Sequence, residues 1–284
     1  MDVGTPALGV NPCAARASLA QTGTTNVRIA TWNVNSVRQR LEHLLSYLKE
    51  IEPDVVCLQE LKCMDEAFPS AEIEALGYNC AVHGQKGFNG VAILSRRPVE
   101  ATRGLPGDDG DMQSRYIEAV VPDDAGAVRV GCLYLPNGNP LGTEKFPYKL
   151  GWMDRLHRHA KSLLAHEERL VLCGDFNVIP DARDAKDPAA WTGDALFQPE
   201  SRGRYQALLN LGLTDALRAS TDAAGLYTFW DYQAGAFQRD SGIRIDHLLL
   251  SPQAADRLQG VAIDKFMRAK DKPSDHVPVR VDLE

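Results

Sequence analysis

Short apolar segments that end in polar residues recur along the chain, and they constrain its fold more than any other feature. Eight of them have the length and composition of β-strands: residues 27–32, 54–58, 90–95, 116–121, 128–135, 170–173, 244–250 and 277–281. Several of these strands follow one another with no helix between them, which disfavours a doubly wound parallel sheet. The sequence therefore predicts a four-layer α/β sandwich, with two packed mixed β-sheets flanked by helices.

Three segments have the periodicity of amphipathic helices. In the first, leucines recur on one helical face, with an N-cap predicted at Ser36 and an end before Pro53. The apolar stripe of the second consists of Met153, Leu156, Ala160, Leu163 and Leu164. Its basic residues Arg155, Arg158 and Lys161 lie off the stripe and are predicted to face solvent. The third helix covers residues 204–211 and ends at Gly212.

The 284 residues suffice for one large domain, predicted over residues 27–284. Residues 1–26 lack the basic start and continuous apolar stretch of a signal peptide, so we expect a disordered or non-native extension. No apolar run reaches the length of a membrane span. The six cysteines form no CxxC pair, which favours buried thiols in a reducing cytosol. These features predict a soluble, cytoplasmic, monomeric protein.

Polar residues at the ends of predicted strands are the strongest functional signal. They are Asn33, Glu60, Asp175, Asn177, Asp246, Asp275 and His276. One aspartate at a strand end usually forms a turn. Several such strand ends at one sheet edge would instead bring their polar side chains together in one pocket. Carboxylates suit a hard divalent cation, and a histidine held by an aspartate can stay cationic beside a phosphate. The group therefore suits phosphodiester hydrolysis.

The net charge of −7 argues at first against a nucleic-acid binder. The four carboxylates of the predicted site account for more than half of that charge, and a bound divalent cation would offset part of it. The chain contains no P-loop, HExxH or GxSxG motif, so the main rival hydrolytic mechanisms have no anchor. Binding of DNA would then depend on basic groups close to the site.

Eight motifs occur in order between residues 29 and 279: IATWNVNSVR, LQELK, GVAILS, YLPNG, KFPYK, GDFN, RIDHLLLS and KPSDHVPV. In these motifs and their order the chain resembles the exonuclease III family of AP endonucleases, in its bacterial branch. The wider superfamily includes deoxyribonuclease I, sphingomyelinases, inositol-phosphate phosphatases and deadenylases. All share the Asn, Glu, GDxN and SDH elements, whereas YLPNG, KFPYK and TFWDY favour DNA repair.

The resemblance implies a deoxyribonuclease I-like fold and a set of catalytic roles. Glu60 would be the principal Mg²⁺ ligand, with Asn33 and Asp275 close to the ion and Mn²⁺ able to substitute. Asp175, oriented by Asn177, would activate water. His276, paired with Asp246, would bind a phosphate oxygen, and Tyr134 would contact the phosphate or assist the leaving group.

The resemblance also implies contacts with double-stranded DNA that contains abasic sites or 3′ ends. Phe229 and Trp230 would line the sugar pocket, Lys145 would lie near the phosphates, and Asn137 would belong to the loop that shapes the site. His247 follows Asp246 on a strand, and alternation predicts that it points away from the site. The balance between incision at abasic sites and 3′→5′ exonuclease activity stays open.

Ordinary structural roles compete with these assignments. Asn33 could also serve as a helix cap, and Tyr134 could be an ordinary aromatic residue of a strand. Phe229 and Trp230 could be ordinary aromatic residues of the core. Two other functions also compete: a superfamily phosphatase for small phosphoesters or lipids, and a catalytically silent scaffold that binds DNA ends or proteins. The presence of every acidic and histidine element disfavours the scaffold.

Overall fold

The strands and helices follow one another along the chain as a β-rich α/β protein. The computed structural model describes Met1 and residues 26–284. Within them the strands are β1 (Val27–Asn33), β2 (Val55–Gln59), β3 (Asn79–His83), β4 (Val91–Ser95), β5 (Ala101–Arg103), β6 (Tyr116–Asp123), β7 (Gly126–Tyr134), β8 (Leu170–Asp175), β9 (Thr214–Asp215), β10 (Asp246–Leu250), β11 (Leu258–Ile263) and β12 (Val279–Leu283). The α-helices are α1 (Leu41–Ile51), α2 (Ser70–Glu74), α3 (Lys145–Leu164), α4 (Pro199–Leu209), α5 (Ala216–Ser220) and α6 (Pro252–Ala255). The predicted extension lies outside the described residues, apart from Met1 and Asn26.

Two mixed sheets of six strands form the centre of the protein. The first has the order β11-β12-β1-β2-β4-β3 and the second the order β5-β6-β7-β8-β10-β9. In each sheet one central pair is parallel, β1 with β2 and β7 with β8, and the other pairs are antiparallel. Helix α1 connects the first parallel pair and α3 the second, because parallel neighbours need a crossover. The predicted pair of packed mixed sheets is confirmed.

Three apolar layers hold the sandwich together. Ile29, Cys57 and Val130 belong to the layer between the two sheets. Helix α1 packs on the outer face of the first sheet, and α3 and α4 pack on the outer face of the second. Burying one large apolar side chain contributes about 1.5–3 kcal/mol, so these layers are the main source of stability. The order helix, sheet, sheet, helix is the predicted four-layer arrangement.

All four strands that the sequence pattern did not predict, β3, β5, β9 and β11, lie at the edges of the sheets. Their side chains are mostly half-buried or exposed, whereas the central strands β2, β4, β8 and β10 are buried throughout. A strand with solvent on one side carries no continuous apolar run. The pattern therefore identified the centre of each sheet and missed its edges.

Three helix predictions need correction. The helix predicted over residues 204–211 covers Pro199–Leu209. Ser36 does not cap α1: its φ is 87°, its backbone N–H donates to the carbonyl of Glu60 at 2.8 Å, and the helix begins at Leu41. Arg155 does not face solvent. It is buried, and its guanidinium pairs with Asp111 at 2.7 Å and donates to the carbonyl of Leu105. These partners compensate the buried charge. The Arg155 side chain is long enough to carry the guanidinium inward from the edge of the apolar stripe of α3.

A buried ion-pair network anchors the loop that follows β8. Arg244 is about 1% exposed, and its guanidinium reaches Asp184 at 2.6 Å and Asp215 at 2.9 Å. Arg218 also contacts Asp184. Breaking such a pair from one side leaves buried charges uncompensated, which is strongly destabilising. The segment 181–199 is therefore tied to the core at Asp184.

Substitution of this arginine tests the anchor. We expect Arg244→Met to lower the free energy of unfolding by about 3–5 kcal/mol, because Asp184 and Asp215 lose their shared cation. Urea unfolding followed by circular dichroism measures the loss. Arg158→Met, an equal change at an exposed position of α3, serves as the control and should change the free energy by less than about 0.5 kcal/mol. Equal stability of the two variants would contradict the anchor.

None of the helices among the described residues is long and apolar enough to cross a membrane.

Candidate active site

Strand register places the predicted catalytic residues side by side. In the second sheet, Tyr134 and Asp175 are paired across β7 and β8, and Asp246 is paired with Asp175 across β10 and β8. In the first sheet, Asn33 ends β1 beside Gln59, the last residue of β2, and Glu60 follows directly. Because the two sheets pack face to face, these strand ends meet at one rim of the sandwich.

Gly174 permits the close approach of β7 and β8 at this rim. It has a φ of 152°, and a β-carbon on it would lie 1.9 Å from the carbonyl oxygen of Leu133. Any side chain there would push the two strands apart. The glycine of the GDFN string is thus required for the position of Asp175.

Asp175 is almost completely buried and held on both carboxylate oxygens. Its Oδ1 accepts from the backbone N–H of Asn177 at 2.9 Å, and its Oδ2 accepts from Nδ2 of Asn33 at 3.0 Å. Nε2 of His276 lies 3.7 Å from Oδ2. Burial raises the pKa of Asp175 to about 7, and the nearby carboxylates of Asp246 and Glu60 act in the same direction as burial. A carboxylate with this pKa can accept a proton from water near neutral pH.

His276 and Asp246 form a buried ion pair. Nδ1 of His276 lies 2.8 Å from Oδ2 of Asp246, which also accepts from the hydroxyl of Thr228 at 2.6 Å. Burial lowers the pKa of His276, but the carboxylates of Asp246 and Asp175 outweigh it and raise the pKa to about 10. The ring is therefore an imidazolium at neutral pH. Its Nε2–H is available to an anionic oxygen in the pocket.

Glu60 and Asp275 supply carboxylate oxygens to the same rim. Glu60 accepts from Nδ2 of Asn33 at 2.8 Å and pairs with Lys62 at 2.9 Å. Burial opposes ionisation of Glu60, but Lys62 and Asn33 outweigh it and lower its pKa. Oδ1 of Asp275 accepts from Nδ2 of Asn35 at 3.0 Å. Glu60 is therefore ready to bind a cation without first losing a proton.

The donor set fits a hard divalent cation. Oxygen or nitrogen atoms of Glu60, Asp175 and His276 lie within 4.8 Å of one another. The protonated ring of His276 cannot donate a lone pair, so the carboxylates are the ligands that fit. Asn33 fits less well than predicted, because its oxygen accepts from the backbone N–H of Asn35 and its Nδ2 faces two carboxylates. In this arrangement Asn33 donates to both Glu60 and Asp175 and lies between the two carboxylates.

Tyr134 and Asn137 line the pocket from the end of β7. The Arg115 guanidinium lies 4.8 Å from the ring centre of Tyr134. Burial and the nearby carboxylates of Glu60 and Asp175 raise the pKa of Tyr134 well above its usual value, so its hydroxyl stays protonated. Nδ2 of Asn137 donates to Oδ1 of Asn177 at 3.0 Å. Tyr134 is thus positioned as a hydrogen-bond donor.

An apolar wall faces these polar groups. A cavity of about 230 Å³ is lined on one side by the acids and His276, and on the other by Trp191, Leu196, Phe229, Ile243 and Ile245. The ring of Phe229 meets that of His276 edge-on at 5.0 Å. Phe229 lines this cavity, and its contact with a sugar stays a prediction. Trp191, Leu196, Ile243 and Ile245 were not predicted, although the spacing of Ile243 and Ile245 by two residues indicates a shared face.

Trp230 does not line the pocket. It is about 1% exposed and belongs to the apolar layer on the outer face of the first sheet. Its Nε1 donates to Asp240 at 3.1 Å. Successive residues of an extended segment point to opposite sides, so only one of Phe229 and Trp230 can face the cavity. The prediction that Trp230 contacts the sugar is therefore wrong.

Two other predictions concern residues near the site. Lys145 is exposed at the first turn of α3 and lines a neighbouring cavity of about 510 Å³, which also contacts Glu60, Tyr134 and Asn137. Its contact with a phosphate stays a prediction. His247 points away from the site, as expected, and its Nε2 meets the carbonyl of Val178 at 3.0 Å. Asn35, which was not singled out, links Asp275 to Tyr232 through its side-chain amide.

Comparisons with known proteins agree with this geometry. Residues 30–276 match the model of the endonuclease/exonuclease/phosphatase family. The chain belongs to this family. It is 36% identical over 262 residues to exodeoxyribonuclease III of Haemophilus influenzae, with 89% of this chain and 98% of that protein covered.

Two solved structures of the family share the fold closely. A 3′ phosphatase, NExo, from Neisseria bound to a product DNA hairpin has a TM-score of 0.86 and 40% identity, with 91% of this chain and 99% of that chain covered. An AP endonuclease from Archaeoglobus fulgidus has a TM-score of 0.84 and 35% identity, with the same coverage of 91% and 99%. The four-layer fold and the resemblance to exonuclease III-type relatives are confirmed.

Proposed function

We propose that the chain is a DNA-repair phosphodiesterase that cuts the backbone 5′ to abasic sites and removes nucleotides or blocking groups from 3′ ends. The position of Asp175 between Asn33 and the His276 imidazolium carries this proposal. A buried acid that titrates near neutrality lies there beside a cationic donor, in a cavity whose far wall is apolar. The polar side suits a phosphodiester, and the apolar wall suits a sugar without its base.

The chain's own residues supply the steps of an in-line hydrolysis. Asp175 takes a proton from water as the water oxygen forms its bond to phosphorus, and the bond from phosphorus to the 3′ oxygen breaks. Nε2–H of His276 donates to a non-bridging phosphate oxygen as charge develops there. Tyr134, held as a phenol, donates a hydrogen bond to the phosphate or to the departing oxygen. The departing 3′ oxygen takes up a proton from solvent water. The products are a 3′-hydroxyl and a 5′-phosphate-bearing end.

Glu60 and Asp275 would hold the divalent cation, proposed as Mg²⁺ with Mn²⁺ as a substitute. When bound, the cation supplies Lewis-acid stabilisation of charge on the phosphate and the leaving oxygen. Glu60 is supported for this role by its lowered pKa and by Asn33 and Lys62, which fix its orientation.

The proposed partner is double-stranded DNA, although the chain has a net charge of −7. Arg115 and Lys145 line the larger cavity next to the site, and Lys62 lies beside Glu60. These local cations support phosphate contact, which carries no base-sequence information. We extend the proposal to a monomer that acts in the bacterial cytoplasm.

Two end-labelled duplexes test the proposal, one with a single abasic-site analogue and one intact with a recessed 3′ end. With Mg²⁺ we expect a cut 5′ to the abasic site and shortening of the recessed strand, both abolished by EDTA. The ratio of the two rates ranks incision against exonuclease activity. Failure to cut either duplex with Mg²⁺ or Mn²⁺ would contradict the assignment, and hydrolysis of p-nitrophenyl phosphate would then favour a small-phosphoester phosphatase.

A further inference from the structure

Lys149 is a fully buried lysine that the mechanism above does not use. It lies one helical turn after Lys145 on α3, and its side chain is inaccessible to solvent. Its Nζ donates to the carbonyls of Pro136 at 3.1 Å, Asn137 at 3.2 Å and Asn177 at 2.6 Å. All three hydrogens of the ammonium are therefore used. The three acceptors belong to the two loops that carry the catalytic residues.

No carboxylate forms an ion pair with Lys149 in the part of the chain that the structure describes. Burying an ammonium without a contacting anion costs several kcal/mol, so an apolar side chain would pack here at lower cost. Burial lowers the pKa of Lys149 to about 7, and the more distant charges of Asp175 and Asp194 only partly oppose that effect. A group this costly to bury is not explained by packing alone.

The surrounding backbone is shaped around the lysine stem. Gly138 has a φ of 90°, and a β-carbon on it would lie 2.6 Å from Cδ of Lys149. The same two loops are joined a second time by the amide pair of Asn137 and Asn177, and Nδ2 of Asn177 donates to the carbonyl of Leu135 at 2.9 Å. Lys149 thus lies at the centre of a polar junction between the loop after β7 and the loop after β8.

We propose that Lys149 is a positioning residue for this reaction, because its Nζ donates to carbonyls of both loops and so fixes the loop of Asn137 to the loop of Asn177. Asn177 in turn holds Oδ1 of Asp175 through its backbone N–H. A loosened junction would let Asp175 move relative to Tyr134 and the phosphate, and a displacement of about 1 Å can cost about 10²-fold in rate. The inference rests on the proposed function and adds a residue to it.

Lys149→Met tests the role, because methionine has a similar length and no donor. We expect kcat on the abasic duplex to fall by about 10- to 100-fold while KM changes by less than about threefold. The melting temperature is expected to change little, because removal of the buried charge offsets the loss of a donor to three carbonyls. Lys161→Met on the exposed face of the same helix is the matched control and should keep wild-type kcat.

Two results would overturn the proposal. One is a folded Lys149→Met protein with kcat within about threefold of wild type. The other is a loss of kcat that comes with a proportionate fall in melting temperature and rise in KM, which indicates general destabilisation. If Lys149→Met does not fold, Lys149→Gln, whose amide keeps two of the three N–H donors, is judged by the same criteria.

Hydrogen exchange separates this inference from the proposed function, because it needs no substrate. In Lys149→Met we expect faster amide exchange confined to residues 135–139 and 176–179, with α3 unchanged. If both loops of Lys149→Met exchange at the wild-type rate, the positioning role is overturned. This outcome does not depend on which substrate the enzyme cleaves. Absence of DNA cleavage by the wild type would count against the proposed function alone.

Discussion

Asp175→Asn is expected to lower kcat on an abasic duplex by about 10³-fold or more. The amide oxygen can keep the contact with the backbone N–H of Asn177, but the NH2 group cannot accept from Nδ2 of Asn33. The amide also cannot take a proton from water, so the general base is lost. Stability should not fall with activity. Because burial raises the folded-state pKa of Asp175 to about 7, the folded protein binds more protons than the unfolded chain between pH 4 and 7. Stability is therefore lost as the pH rises from about 4 to about 7, and the amide removes that cost.

Single-turnover cleavage at pH 8 and thermal unfolding measure the two expectations on the same protein. Asp256→Asn makes the same chemical change at an exposed carboxylate and should behave as wild type in both assays. A variant at Asp175 that keeps more than about a tenth of the wild-type rate would exclude this residue as the base. The wild-type rate should rise with pH, with a midpoint at or below about 7, because a bound cation favours the carboxylate.

His276→Asn is expected to lower kcat by about 10²- to 10³-fold with a smaller effect on KM. The imidazolium acts on charge that develops on the phosphate, so its loss raises the barrier more than it weakens binding. Its raised pKa of about 10 also sets the alkaline side of the pH profile. The wild-type rate should fall as the pH passes about 10, because a neutral ring loses the positive charge, and this fall should be absent in the variant.

His166→Asn, an exposed histidine changed in the same way, should keep the wild-type rate and profile. The linkage predicts a stability effect of defined sign. A histidine whose folded pKa is raised contributes stability that is complete below about pH 6.5 and is lost as the pH rises towards 10. An alkaline limb that survives in His276→Asn would assign it to another group, such as Tyr134.

The sequence was sufficient for the centre of the fold and for the acidic half of the site. Central strands such as β2 and β8 are buried on both faces, so their composition alone identifies them. Asp175 ends β8, and His276 lies shortly before β12. The edge strands β3 and β11 have solvent on one side and lack this signal.

The apolar half of the site was harder to predict for a physical reason. Trp191 and Leu196 lie in the segment between β8 and α4, and only tertiary structure brings them to Phe229 and Ile243. Phe229 and Trp230 are adjacent aromatics, and sequence alone did not decide which one faces the cavity. Lys149 was overlooked because an internal lysine on a helix is usually solvated, and its burial depends on three distant carbonyls.

The fate of the water oxygen tests the central claim most directly. The abasic duplex would be cut by the wild-type protein in water enriched in oxygen-18, and both product strands would be weighed by mass spectrometry. The account predicts one heavy oxygen in the 5′-phosphate of the downstream strand and none in the 3′-hydroxyl of the upstream strand. An upstream strand that ends in an unsaturated sugar aldehyde, with no heavy oxygen in the phosphate, would instead show elimination and contradict water attack directed by Asp175.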